Sequence, residues 1–299
     1  MKLFVKILTI NKRICLVPYA LCLVCAFVQT NANACDVRGI EPNAPVLCGI
    51  AKQGGILYGE LSTGHWNVYN GDEKISMNGI FVVGLGRDHS ENLSLRFCKR
   101  ITGRMKYTCD NYNYKIIQRT YEEQRITVSR EFDELSPQVL RRVNSENANV
   151  QAVRAAAAKF DTTAFMDMTL SDNLRGHRIS GVFGTRRIVN GQPRRPHLGV
   201  DIAAPRGTDV ASVADGIVVI VADMFFNGKT VFVSHGHGIT TSYMHLDRID
   251  VNVGDTVMRG DVIGRVGSTG RSTGPHLHLG AYWRNIAIDP KLVVSFGNN

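Results

Sequence analysis

The stretch "TGPHLHLG", residues 273–280, sets two histidines one residue apart in a run otherwise composed like a strand. Side chains at i and i+2 of a strand stand on one face, so His276 and His278 share a surface. Such a pair is either an accident of composition or part of a metal site, and a metal site needs further donors elsewhere. Two upstream stretches offer them: "RRPHLGVDIAAP" (194–205), with His197 and Asp201 four apart, and "SYMHL" (242–246), with His245.

A spacing of four suits a helix, but Gly199, Val200 and Pro205 oppose one here. A strand or bulged strand also puts i and i+4 on one face. His197, Asp201 and one histidine of the 276/278 pair can then give two imidazoles and a carboxylate to a single ion. With a fourth position left to water, this is the donor set of a catalytic zinc rather than a structural one. Zinc lowers the pKa of bound water from about 15.7 towards about 7 and polarises a carbonyl under attack. Peptide hydrolysis also needs a proton taken from water and one delivered to the leaving amine. His245 and the remaining histidine of the pair are left for that work and for the developing oxyanion.

The surroundings read as β. "ISGVFG", "TDVASVADGIVVIVADM", "KTVFVSHG", "ITTSYMHL", "DVIGRVGS" and "PHLHLGAYW" follow one another from about 178, punctuated by Gly-Asp turns at 254–255 and 260–261. Residues 50–130 alternate short β-like runs with turn signals, Asn70-Gly71 among them, and predict a small β-sandwich. Between the two, residues 135–160 predict a helix, or two with a break near 144–149. Ser136 is the cap, Pro137 opens the first turn, and Val139, Leu140, Val143, Val150 and Val153 form a broken apolar stripe. The expected organisation is mainly β: a signal over 1–34, a β-sandwich over 35–132, a helical linker over 133–170 and the histidine-bearing domain over 171–299.

The opening "MKLFVKILTINKR" is basic, followed by the 15-residue run "ICLVPYALCLVCAFV" and Ala32-Asn33-Ala34. This is the order of an export signal, with an apolar core short of the roughly 20 residues of a membrane span. An uncleaved anchor is the alternative. Without Lys2, Lys6, Lys12 and Arg13 the net charge falls from +9 to +5, with no basic run of a nucleic-acid module. A moderately basic exported protein suits an anionic polymer outside the cell. Cys35, Cys48, Cys98 and Cys109 remain, an even number for an oxidising compartment, and proximity favours Cys35–Cys48 and Cys98–Cys109 among three pairings.

His-x-x-x-Asp, then Ser-Tyr-x-His-Leu, then His-x-His in a glycine-rich β domain resembles the M23 (LytM/lysostaphin-type) zinc metallopeptidases. "SGVFGTRR", "HLGVDIAAP", "GDVIGRVGSTGRSTGPHLH" and the closing Asp289-Pro290 carry the resemblance over about 178–294. "QGGILYGELSTG" and "GIFVVGLGRD" resemble the β-sandwich prefix of a proteobacterial subset. The resemblance implies His197, Asp201 and His278 as ligands of one zinc ion and His245 and His276 as the catalytic pair. The tyrosine that some members place ahead of the first ligand is absent from 190–196. It further implies a hydrolase of peptidoglycan cross-links or stem peptides in a Gram-negative periplasm or envelope. A non-catalytic amidase activator and a wall-binding protein are the other classes, and an activator would not need five intact site residues. Arg186, Arg187, Arg194 and Arg195 could meet substrate carboxylates, with Arg186, Arg194 and Arg195 as the candidate substrate contacts. The loop 268–274 is expected to be a mobile groove wall. His235 and His237 are expected to be strand-end and loop residues, and His65, His89 and His177 incidental.

Overall fold

In the computed structural model, residues 35–61, 66–101 and 106–297 are described. The expected export signal and His65 lie outside the described residues. Apolar alternation in the C-terminal half produces an all-antiparallel sheet. Its strands run in the order Ile179–Gly181, Val200–Ile202, Leu277–Trp283, Ile239–Leu246, Gly228–Gly236, Gly216–Met224 and Thr256–Val257. Ile286–Ile288 pairs on the far part of Leu277–Trp283. The two central strands, Gly228–Gly236 and Ile239–Leu246, are buried along nearly their whole length. Both faces of the sheet are therefore covered there, which is why these segments read as continuous apolar and small residues rather than as an alternation.

One cover is the helix Pro137–Ala157, which is continuous through 144–149. Ser136 accepts a hydrogen bond from Val139 N, and Pro137 stands in the first turn. Val150 packs with Ile220, Met224, Phe232 and Met244 of the sheet, a burial worth roughly 1.5–3 kcal/mol per side chain of this size. The helix thus lies on the sheet, and the chain before it enters a separate three-stranded sheet. Glu123–Ile126 pairs in parallel with Arg186–Val189, which in turn pairs with Gln192–Arg194.

The N-terminal half is a sandwich of a five-stranded and a four-stranded sheet. Phe81 from one and Phe97 from the other meet edge to face at 5.5 Å, among Leu57, Val68, Val83, Leu93 and Leu95. Cys35–Cys48 and Cys98–Cys109 form the two disulfides. In each case the cysteines face one another on neighbouring antiparallel strands, so strand register selects the pairing. Asp289 joins the halves: its backbone N–H donates to the Gly54 carbonyl and its carboxylate accepts from Arg119 Nη1 at 2.8 Å.

Candidate metal centre and cleft

Strand register assembles the site. Asp201 and His278 are directly opposite on neighbouring antiparallel strands, and Met244 flanks His278 on its other side. His245 follows Met244 with a φ of 63°, which turns its side chain out of the strand alternation. His276 immediately precedes the strand Leu277–Trp283. His197 sits in the irregular segment leading into Val200–Ile202. Gly199 allows the close approach: a Cβ there would lie 2.5 Å from His278 Nε2.

Three donor atoms converge. His197 Nε2 is 3.0 Å from Asp201 Oδ1 and 3.0 Å from His278 Nδ1, and His278 Nδ1 is 2.8 Å from Asp201 Oδ1. His197 Nδ1 donates to the Val182 carbonyl at 3.0 Å, so in the neutral ring Nε2 carries a lone pair. Burial pushes His197 down to about 4, helped by the nearby His278 and Arg187 and opposed by Asp201; the ring is neutral at pH 7. Burial alone would raise the Asp201 carboxyl, but the adjoining His197 and His278 ring nitrogens outweigh it and hold the group far below the usual carboxylate range. Lone pairs of a neutral imidazole and an ionised carboxylate 3.0 Å apart repel unless a cation or a proton lies between them. The donor set, two nitrogens and one oxygen, fits a single divalent ion of the zinc type.

The other two histidines stand beside this cluster. His276 Nε2 is 3.8 Å from Asp201 Oδ1, and the rings of His245 and His276 lie 4.7 Å apart. His245 Nδ1 donates to the Thr269 carbonyl at 2.8 Å, and His276 Nδ1 to the Gly274 carbonyl at 2.8 Å. In the neutral form of each ring the lone pair is therefore on Nε2. Burial, and then the neighbouring His278 and His276, push His245 down to about 3, so it too is uncharged at neutral pH. The loop that supplies both carbonyls is held rather than loose. Thr269 Oγ1 donates to Leu246 O and accepts from Lys229 N, and Arg271 N donates to Phe226 O.

Asp201, His245, His276 and His278 border a cleft of about 690 Å³. Asn147, Val150, Gln151 and Arg154 of the long helix form part of its wall, with Gln124 and Ile126 from the N-terminal half. Arg154, Arg178, Arg187, Arg195 and Arg271 line it, against Asp201 as the one acidic residue in the lining. Of the arginines expected at the site, Arg195 is in the cleft. Arg194 is exposed outside its lining, and Arg186 is exposed in a separate pocket with Arg87 and Arg119. Arg154, Arg178 and Arg271 were not foreseen: the first two come from segments with no motif of their own, and Arg271 lies in the loop 268–274, which was singled out for its glycines. Arg187 is turned inward, its Nη2 3.5 Å from Asp201 Oδ2.

His235 and His237 take no part. His235 is buried in Gly228–Gly236, bonded to the Asp215 carbonyl and Thr241 Oγ1. His237 is buried in the turn that follows, near Asp161.

Residues 195–290 match the model of peptidase family M23. The chain carries an M23 peptidase domain. The chain is 34% identical over 165 residues to the Vibrio cholerae protein named peptidoglycan DD-endopeptidase ShyB, covering 49% of this chain and 38% of that one. It is 42% identical over 113 residues to the Neisseria meningitidis protein named DD-carboxypeptidase/endopeptidase Mpg, covering 38% of this chain and 26% of that one. The chain thus spans well under half the length of these curated relatives. Its fold is similar to a Pseudomonas aeruginosa crystal structure described as an M23 peptidase, with a TM-score of 0.62 and 27% identity over 83% of this chain and 96% of that one. That likeness extends beyond the M23 domain to the N-terminal β region.

Proposed function

We propose that this protein is a zinc-dependent endopeptidase of bacterial peptidoglycan, cutting D,D cross-links between stem peptides in a Gram-negative envelope to which it is exported. The observation that carries the reading is the convergence of His197 Nε2, Asp201 Oδ1 and His278 Nδ1 within 3.0 Å of one another, beside the rings of His245 and His276. His197, Asp201 and His278 would hold the metal, which when bound supplies a water acidic enough to act as nucleophile near neutral pH. His245 and His276, with Nδ1 committed to carbonyls, present Nε2 to accept the proton of the attacking water and return one to the leaving amine. Once protonated, the same rings stabilise negative charge on the scissile oxygen.

The arginine-lined cleft favours a substrate rich in carboxylates, since guanidinium groups bind them bidentately. Cross-linked stem peptides with free carboxylates meet that requirement, and the names of the Vibrio and Neisseria relatives point the same way. The test is incubation of the protein lacking residues 1–34 with purified cross-linked muropeptide dimers and Zn²⁺, followed by mass spectrometry. Monomers are expected, and dimers left intact with metal bound would overturn the reading.

A further inference from the structure

Arg187 is the last residue of the resemblance motif "SGVFGTRR" and stands eight residues before the M23 match begins, yet it reaches the proposed metal centre. Its side chain is 20% exposed and that of Asp201 15%, so the contact between them is largely shielded from water. The two oxygens of Asp201 have separate surroundings. Oδ1 faces His197 and His278. Oδ2 faces Arg187 Nη2 at 3.5 Å and the backbone of Gly181, where a Cβ would come within 2.4 Å of it. The Nε of Arg187 is itself buried and has no acceptor among the described residues, so the site's geometry, not a better partner elsewhere, is what retains the guanidinium. The strand bearing Arg187 is fixed from outside the M23 match, with Gln124 as its parallel neighbour and Arg194 as its antiparallel one.

We propose that Arg187 is a positioning residue: by occupying Asp201 Oδ2 from a strand clamped by the N-terminal half, it fixes the carboxylate so that Oδ1 alone is presented to the metal. The inference rests on the metal reading above. A guanidinium this close to a dication also repels it, so the proposal requires that orientation outweigh repulsion. Groups that orient metal ligands from behind typically change metal affinity 10- to 100-fold when removed.

The experiment is zinc titration of the protein lacking residues 1–34 against a chromophoric chelator, for the wild type, Arg187→Lys and Arg187→Met, with thermal melts of each metal-free protein alongside. Arg187→Met is expected to bind zinc 10- to 100-fold more weakly at a melting temperature close to that of the wild type. Arg187→Lys keeps the charge but not the planar fork, and should fall between the two. Zinc affinity in Arg187→Met equal to or tighter than in the wild type would overturn the proposal. If the Met variant does not fold, the Lys variant decides alone, with undiminished affinity as the overturning result. A wild type that takes up no zinc removes the metal reading and this inference together. A wild type that binds while its Met variant binds equally well removes this inference only.

Discussion

His245 and His276 stand ring to ring at 4.7 Å, and each gives its Nδ1 proton to a backbone carbonyl of one loop, Thr269 in one case and Gly274 in the other. The backbone thus sets both tautomers, leaving two Nε2 bases side by side. His245→Ala and His276→Ala should each lower turnover on muropeptide dimers by about 10²- to 10⁴-fold while zinc content per chain stays at the wild-type level. His197→Ala should lose the zinc itself. Wild-type turnover in His245→Ala, measured with the metal in place, would show that its ring carries no proton.

Zinc should also stabilise the fold, because the converging lone pairs of His197, Asp201 and His278 exist only in the folded chain. A hundredfold excess of zinc over its dissociation constant is expected to add about 2.7 kcal/mol. Differential scanning fluorimetry with and without a chelator reads this directly. No shift in the wild type, or an equal shift in His197→Ala, contradicts it.

Gly199 and Gly181 hold the ligands at close range. A methyl group at Gly199 would lie 2.5 Å from His278 Nε2, and one at Gly181 2.4 Å from Asp201 Oδ2. Gly199→Ala and Gly181→Ala should weaken zinc binding by tenfold or more, since each displaces a ligand directly. Isothermal titration tests this, and unaltered affinity in both variants rules out the crowding described.

Acid should weaken the protein through His235. Complete burial pushes this histidine down to about 4 from its ordinary 6.5, so it is neutral in the fold and takes up a proton on unfolding below pH 6.5. The unfolded chain binds more protons between pH 6.5 and about 4; stability therefore falls as pH drops through that window and levels off beneath it. The loss from this residue is on the order of 3 kcal/mol. Urea denaturation of wild type and His235→Gln at pH 7, 5.5 and 4.5 isolates it, and an identical pH slope in both refutes the assignment.

The long helix is predicted to be structural cover for the sheet as well as cleft wall. Val150→Asp would bury a carboxylate among Ile220, Met224, Phe232 and Met244, a change expected to cost about 2–4 kcal/mol. The readouts are a lowered melting temperature and increased binding of a dye that reports exposed apolar surface. Wild-type melting in Val150→Asp would mean that the helix is not seated as described.

Much of the site was legible because strand geometry is local: His276 and His278 share a face by their spacing, and the remaining donors lie in short recognisable stretches. The mainly β character followed from turn signals and alternation in the same way, and the disulfide pairs from proximity. The arginines were not legible. Arg186 and Arg187 are neighbours in a strand and necessarily point to opposite sides, and only the pairing of Arg186–Val189 with Glu123–Ile126 and Gln192–Arg194 decides which of them turns inward. Nor could the sequence disclose the carbonyls of Val182, Thr269 and Gly274, because a backbone acceptor has no residue signature. The held state of the loop 268–274 depends on contacts with Phe226, Lys229 and Leu246, some forty and twenty positions away, which its glycines do not announce.

Parallel strands need a long crossover between them, and for Glu123–Ile126 and Arg186–Val189 that crossover contains the helix Pro137–Ala157. The front of the groove is consequently stitched to its back by continuous polypeptide. The helix that walls the groove and the ribbon that bears Arg187 are therefore two parts of one crossover connection.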